Sequence, residues 1–509
     1  MLLSTARSTA LLMALMARSI ASVPLGEAKE VPMSGSNTPR WTRTGTGCPS
    51  RAECLGIFFC SLVLFCAAST YLITQLGITG DEPWYLLLGY SLVHFHTVDM
   101  AQVVHDPGIY RHFVGSLEVG VGRAWDFRGN GVLVQVYLPG YAAIVGALYA
   151  LGGRWLIVCV QSLGGALIAT LLFQETYRLW QSRAAALFAT VVYVTSLPAL
   201  MYASQVFPTM LASVTAFVAF IAVVRVLPTA VGWRSIVAGG GIGVLAAVLP
   251  WLHVKYAPLA LVIVAAALLQ LASASRTERI RLGALPDKAA GVAAKVPLPA
   301  AGHIVNRPAV ADGSKRGNAW ATAALISGPL LASFALVVVY SQRYFGTWYP
   351  QYRSFGAFAK PDPIHMLGLY RQMFLDGPGA LIPWIPLTLL VPAGLVVLTR
   401  HATREGGLTA LWIGGVLSAF LSSAIAPHVN QAYALPARFT VECQPYFTLS
   451  VASLFAVTWP KLRASIPRVS PGRGVSALWL RRGERWWRCA ACYWSALTPG
   501  LPSSDSSIR

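Results

Sequence analysis

Residues Ile57–Gly77, IFFCSLVLFCAASTYLITQLG, decide the fold class. They carry no charge, and an unbroken apolar run of about 20 residues is what a helix needs to cross the hydrocarbon core of a bilayer. Working outward, similar runs recur near 155–173, 184–200, 208–227, 236–250, 257–272, 320–341, 379–399, 408–426 and 440–458. A further apolar segment, 132–151, is interrupted by Pro139, Gly140 and Gly146. The pattern predicts an all-α, multi-pass membrane protein with about 10–11 transmembrane helices. An outer-membrane barrel is excluded, because it would show ~10-residue alternating segments rather than solid runs. A soluble enzyme is excluded as well. Of the 509 residues, 55% are hydrophobic and only 11% charged, under half the ~25% charged of soluble domains.

Lys and Arg number 39 against 19 Asp and Glu, a formal net charge of +20. The excess sits between and after the apolar runs, where basic residues set topology and meet anionic lipid head groups. That distribution argues against a nucleic-acid partner. None of the eight cysteines falls between Asp81 and Asn130. Cys54, Cys60 and Cys66 lie at or in the first run, and Cys489-Ala-Ala-Cys492 is a single CxxC in a basic tail. Neither a disulfide framework nor a zinc site is expected from this spacing.

The chain divides into a basic leader (1–54), an amino-terminal membrane module (55–272), a linker (273–318), a carboxy-terminal membrane module (319–459) and a basic tail (460–509). The linker holds Arg276, Arg279, Arg281, Lys288, Lys295, Arg307, Lys315 and Arg316 among Ala, Pro and Gly, and reads as cytoplasmic. Counting spans from it puts Arg178, Arg183, Arg225–Arg234, Arg400 and Arg404 inside. Tyr202–Pro208 and Pro250–Tyr256 then fall outside. Segment 78–131 also falls outside if 132–151 is a re-entrant or juxtamembrane helix, which its proline and glycines permit. The tail, with Trp479, Trp486, Trp487, Tyr493 and Trp494 among its arginines, reads either as an interfacial segment or as a basic extension.

Acidic residues are scarce, yet six lie between 81 and 126: Asp81, Glu82, Asp99, Asp106, Glu118 and Asp126. His94, His96, His105 and His112 join them. Long loops with such chemistry are disproportionately functional. Their sharpest element is Thr79-Gly80-Asp81-Glu82-Pro83-Trp84-Tyr85, two carboxylates where the first span leaves the bilayer. Gly80 allows a tight exit, Pro83 suits a first helical turn, and residues 84–95 read as an amphipathic helix on the membrane surface. Two readings fit. Asp81 caps that helix with Glu82 in its first turn, or the pair does general-base chemistry at the boundary. The histidines lack a metal-ligand spacing, so no metal or other cofactor is expected.

Beyond the residues themselves, the chain resembles the GT-C class of integral membrane glycosyltransferases. It is most similar to a bacterial group related to the protein mannosyltransferases and the aminoarabinose lipid A transferases. Gly80-Asp81-Glu82-Pro83-Trp84-Tyr85-Leu86 resembles that group's GDEPHYL. Leu138-Pro139-Gly140-Tyr141 resembles the apolar segment closing its first outer loop. Leu249-Pro250-Trp251-Leu252-His253-Val254-Lys255-Tyr256 resembles LPWLHxRY, and Pro436-Ala437-Arg438-Phe439 resembles PxRF. Phe374-Leu375-Asp376-Gly377 before a new span also fits. The chain departs from the group at Trp84 and at Val206-Phe207-Pro208-Thr209, where an acidic residue more often follows the proline.

The resemblance implies transfer of a sugar from a polyprenyl-phosphate donor to an acceptor outside the cytoplasm, in the cell membrane. It makes Asp81 the essential acid of the first outer loop and Glu82 its partner. His253, Lys255 and Arg438 share that face by the span count and are candidates to hold the lipid phosphate. For Lys255 and Arg438 the alternative is interfacial snorkelling and, for Arg438, a helical pair with Glu442. For His253 it is a bond to a loop carbonyl. Tyr85, His105, Asp106 and Arg111, with Arg123, lie in the same outer loop and complete the candidate substrate contacts. A lipid transporter or flippase is the alternative function, but the spans carry few midplane charges. A cysteine placed at Ser116 should be labelled by an impermeant maleimide from outside intact cells; labelling only after permeabilisation would overturn the topology.

Overall fold

The computed structural model describes residues 49–76, 78, 80–114, 124–126, 128–230, 232–283, 311–348, 371, 386–424 and 438–465. Most of the leader and tail, the linker core 284–310, the Phe374–Gly377 motif, Arg123, Glu118 and Ser116 lie outside those residues. Among the described residues the architecture is helical, apart from one two-stranded ribbon, β1 (Ala124–Trp125) antiparallel to β2 (Val134–Gln135).

Helix α1 (Arg51–Leu76) shows how these sequences choose helix and face. Leu55, Phe59 and Val63, at i, i+4 and i+8, stand exposed, while Ser61, Phe65 and Ser69 are buried. In lipid, apolar groups gain nothing by facing inward, so small polar residues mediate the contacts. Ser69 Oγ lies 3.2 Å from Ser162 Oγ and 3.0 Å from Ser204 Oγ. After the Gly80 turn come α2 (Glu82–Tyr90) and a π-turn, Ser91–Phe95. Their helical extent follows the sequence expectation, but their setting does not. Trp84, Tyr85, Leu86, Leu87 and Leu88 are all buried, because a helix apolar on every side seeks the core rather than a surface.

Two short helices, α3 (Ala101–His105) and α4 (Pro107–Val114), and the ribbon lead into α5 (Pro139–Trp180). This helix breaks at Gly152 (φ −160°, ψ 20°) and Gly153 (φ 64°, ψ −162°). Its first limb of about 13 residues is roughly 20 Å long, too short to span ~30 Å of hydrocarbon. It packs on α2 so closely that a Cβ on Gly146 would collide with the Gly89 carbonyl. The bundle continues through α6 (Arg183–Val194), α7 (Leu197–Ala203), α8 (Pro208–Ile221), α9 (Trp233–Leu252) and α10 (Ala257–Gly283). It closes with α11 (Ala311–Phe345), α12 (Val391–His401), α13 (Thr403–Ala424) and α14 (Gln444–Ser465). Helices α10 and α11 thus extend into both ends of the segment expected to be a linker.

Among the described residues, six helices are long and apolar enough to cross a membrane, or seven if the pair α6–α7, bent by 57°, is one span. That is fewer than the expected 10 or 11. The run expected at 184–200 is divided at Thr195–Ser196, and the one at 379–399 appears as the shorter apolar helix Pro386–His401. The expected runs 408–426 and 440–458 fall on α13 and α14.

The charged groups gather at two ends of the bundle. At one, Arg183 meets Glu53 (3.1 Å), Arg178 pairs with Glu175 and with Glu405 (3.0 Å), and Arg225 lies 3.7 Å from Glu175. Arg404 donates to the carbonyl of Val224 (2.7 Å), and His401 stacks on Trp180. These are the basic residues that the span count places together. Asp81 and its neighbours occupy the other end.

Helices α9 and α11 pack through Gly239 and Gly243, four residues apart, the small-residue spacing that brings helix backbones together. A Cβ on Gly243 would strike the Leu325 carbonyl, whereas Gly241 faces open space. Gly243→Leu should therefore lower thermal stability in detergent by roughly 3 kcal/mol or more, since the obstacle is backbone. Gly241→Leu should leave it unchanged, and equal effects of the two would contradict this packing.

Candidate functional site

The turn at Gly80 (φ 61°) delivers two carboxylates to the start of α2. Left-handed backbone favours glycine there, and a Cβ would also press on Phe207 at 3.3 Å. Asp81 is the N-cap residue by position, yet its side chain makes no cap hydrogen bond. It is 5% exposed and Glu82 is fully buried. The capping reading therefore does not account for either carboxylate.

Glu82 reaches away from its own helix. Arg154 Nη2 donates to Oε2 at 2.8 Å, and the Val206 N–H donates to Oε1 at 2.5 Å. Arg154 follows directly on the Gly152-Gly153 break, so this ion pair ties the elbow of α5 to the start of α2. The loop 204–207 is held a second time, since Gln161 Nε2 donates to the Phe207 carbonyl (2.8 Å) and to the Tyr141 hydroxyl (3.0 Å).

One turn along α2, Tyr85 stacks on Tyr137 (ring centroids 4.9 Å) and meets Tyr141 edge-on (5.0 Å). Tyr137 in turn lies 5.6 Å from the His253 ring. His253 ends α9 and accepts from the Lys255 N–H through Nδ1 (3.1 Å), shaping the 3-10 turn Val254–Tyr256. Lys255 is buried, 3.5 Å from Glu442, with its ammonium over the Tyr256 ring at 4.7 Å. Tyr256 donates to Glu442 Oε1 at 2.5 Å. Glu442 is itself 1% exposed.

The separated sequence motifs therefore meet at one end of the bundle. Gly80–Tyr85 touches 206–207 through Glu82 and reaches Leu138–Tyr141 through Tyr85. A Cβ on Gly140 would lie 2.7 Å from Trp251, so Leu138–Tyr141 packs on Leu249–Tyr256. That motif in turn joins the turn Arg438–Cys443 through Glu442. Arg438 opens this turn, though its side chain lies outside the described residues.

Other candidates are placed apart. His105, Asp106 and Arg111 are exposed on α3 and α4, whose Phe113 packs on Tyr90 at the far end of α2. His105 Nδ1 contacts the Ala101 carbonyl (2.8 Å), and Asp106 Oδ1 accepts from Gly108 and Ile109 at the start of α4. Asp126 accepts from the backbone of Gly131, Asn130 and Arg128. The Gly131 bond above all holds its carboxyl below the usual range, a loop-forming role. His112 contacts the Tyr149 hydroxyl (2.8 Å). Among the described residues no three His, Cys, Asp or Glu side chains come together as metal ligands.

Sequence reasoning missed Arg154, Gln161, Tyr137 and Tyr256, and weighed Glu442 only as a partner of Arg438. A signal existed for Arg154, a lone cation just after two glycines between apolar runs. Beside the site an apolar cavity of about 180 Å³ lies between the two limbs of α5 and α8, with Tyr141 and Gln161 in its lining.

Fold and site together define a helical, multi-pass membrane protein with a buried, carboxylate- and tyrosine-rich site at one end. No family model matches the chain, and no curated protein does. Among solved structures it is similar to ArnT from Cupriavidus metallidurans bound to undecaprenyl phosphate, at 14% identity and a TM-score of 0.46. The match covers 87% of this chain and 64% of that one. ArnT is a GT-C aminoarabinose lipid A transferase. The likeness is one of general helical arrangement and assigns no role to any residue.

Removing one partner of a buried ion pair strands the other's charge. Glu82→Gln and Arg154→Gln should each destabilise the protein by roughly 3 kcal/mol, and the double variant by clearly less than the sum. Strict additivity in thermal unfolding would show that the pair does not hold the elbow.

Proposed function

We propose that the protein is a membrane glycosyltransferase that moves a sugar from a polyprenyl-phosphate donor to a hydroxyl acceptor on the extracytoplasmic face. The observation that carries the reading is the meeting of Gly80–Tyr85, Val206–Phe207, Leu138–Tyr141 and Leu249–Tyr256 at the end of the bundle that holds Asp81, a buried carboxylate whose side chain does not cap its helix. The basic opposite end supports the orientation, because arginines concentrate on the cytoplasmic side.

In this reading Asp81 accepts the proton of the acceptor hydroxyl as the new C–O bond forms at the anomeric carbon. The bond from that carbon to the phosphate oxygen breaks, and polyprenyl phosphate leaves with the electron pair. A phosphate needs a countercharge more than an acid. Lys255 offers an ammonium with three donors, one directed toward Glu442, and Arg438 is the second candidate. Glu82 and Arg154 position the Asp81 turn and the loop over it. Tyr85, Tyr137 and His253 form an aromatic wall of the kind that packs a sugar face. The proposed donor belongs to the same lipid class as the ligand of ArnT.

Asp81→Asn keeps the size of the side chain and removes its basicity. It should lower transfer from a polyprenyl-phosphate sugar in proteoliposomes by about 100-fold or more, the lower range for losing a general base, with melting temperature unchanged. Undiminished transfer by that variant would sink the assignment.

A further inference from the structure

Strand β2 holds a residue that neither the fold nor the proposed chemistry has used. Gln135 is 0% exposed, and neither Oε1 nor Nε2 has a hydrogen-bond partner among the described residues. Its neighbours Val134, Val136 and Leu138 are buried and apolar. An apolar residue would therefore serve packing better, because a buried carboxamide without partners opposes folding. The side chain is also not loosely placed. The ribbon fixes its backbone opposite Ala124, and Leu133 is anchored by Asp99 Oδ1 and by the Met100 N–H.

Its place in the fold is informative. Tyr137, the ring stacked on Tyr85 and facing His253, follows two residues later. At no more than ~3.6 Å per residue, the two Cα atoms lie within about 7 Å of each other. Gln135 therefore lies on the short segment that leads directly into the aromatic wall.

The chemistry of the amide narrows the ligand. Oε1 needs a donor and Nε2 needs an acceptor. A phosphodiester or phosphate dianion supplies acceptors only, and an isoprenoid chain supplies neither. Hydroxyl groups supply both, and an adjacent pair on a sugar ring fits the two ends of one carboxamide. We propose that Gln135 is a specificity-determining residue that reads neighbouring hydroxyls of the donor sugar. The inference rests on the glycosyltransferase reading and adds the residue that selects the sugar. The donor is the source because its ring must sit at the Asp81 end for its anomeric carbon to react.

The test uses the full-length protein in detergent or nanodiscs, with Gln135→Met, an apolar replacement of similar length, and Gln135→Leu. Affinities are measured for undecaprenyl phosphate and for undecaprenyl phosphate linked to glucose, mannose or arabinose, alongside melting temperature. The expected result has opposite signs. Removing an unpartnered buried amide leaves melting temperature equal or higher, while affinity for the best-bound sugar-bearing lipid falls about tenfold, as expected when a polar contact with a ligand is lost. Affinity for undecaprenyl phosphate stays unchanged. A lower melting temperature with unchanged sugar affinity would reveal a structural partner and overturn the proposal. An equal fall for both lipids would overturn it too, by assigning Gln135 to the phosphate or to the fold. Wild-type protein that binds neither lipid and transfers no sugar would remove the glycosyltransferase reading itself. Wild-type protein that transfers normally, with the ratio of the two affinities unmoved in both variants, would remove only the role of Gln135.

Discussion

The buried carboxylate of Glu82 is the interaction on which the site depends. It is fully enclosed, and a lone ionised carboxylate in that position would be prohibitively costly. Arg154 and the Val206 N–H supply charge and hydrogen bonding together, which is the condition under which a buried ion is tolerated. Meeting it fixes three elements at once: the first turn of α2, the elbow of α5 and the loop before α8. Asp81 is then held by the backbone on one side and by this framework on the other. The Glu82 carboxylate, bonded to two other segments, is thus a positioning group for the turn that carries Asp81.

A second consequence concerns where polar groups are allowed. The bundle is lined by serines and glycines at its contacts, as in Ser69 with Ser162 and Gly243 with Leu325. Such contacts need no charge, so charge is spared for the two ends. At the basic end, Glu175 is buried with Arg178 and Arg225 close by, and Arg178 also reaches Glu405 of α13. This network joins the amino- and carboxy-terminal helices as the Lys255–Glu442 pair does at the opposite end. The two halves of the chain are pinned at both ends, and the site lies at the seam.

Much of the fold was legible from the apolar runs, because lipid imposes one strong rule: a span must be long, helical and uncharged. Periodicity was less informative where that rule does not act. Glu82–Tyr90 reads as a surface helix from its position after a span, but its uninterrupted apolar character buries it. The break in α5 lay within reach as Gly152-Gly153, yet glycines are common in membrane helices and the pair did not stand out. The site was legible to the extent that its motifs are local strings. Contacts that depend on packing, such as Tyr137 on Tyr85 or Gln161 to Phe207, leave no local signature, since each partner is an ordinary residue in its own segment. His105 and Asp106 show the reverse case. Their chemistry is conspicuous in the sequence, but their bonds are spent on starting and closing short helices.

The position after Pro208 draws these points together. The group that the chain resembles more often has an acidic residue there, and this chain has Thr209. On sequence alone that is a missing carboxylate. In the folded protein Thr209 is buried near Tyr256, and Tyr256 donates to Glu442, a buried carboxylate arriving from the other end of the chain. The Tyr256 phenol thus holds a carboxylate at the same corner from a different element. Lys255 beside it keeps the added negative charge from being unopposed. The number of acidic groups around the site is therefore set by the fold and not by any one motif. A residue count along a single stretch of sequence undercounts a site that several separated stretches build together.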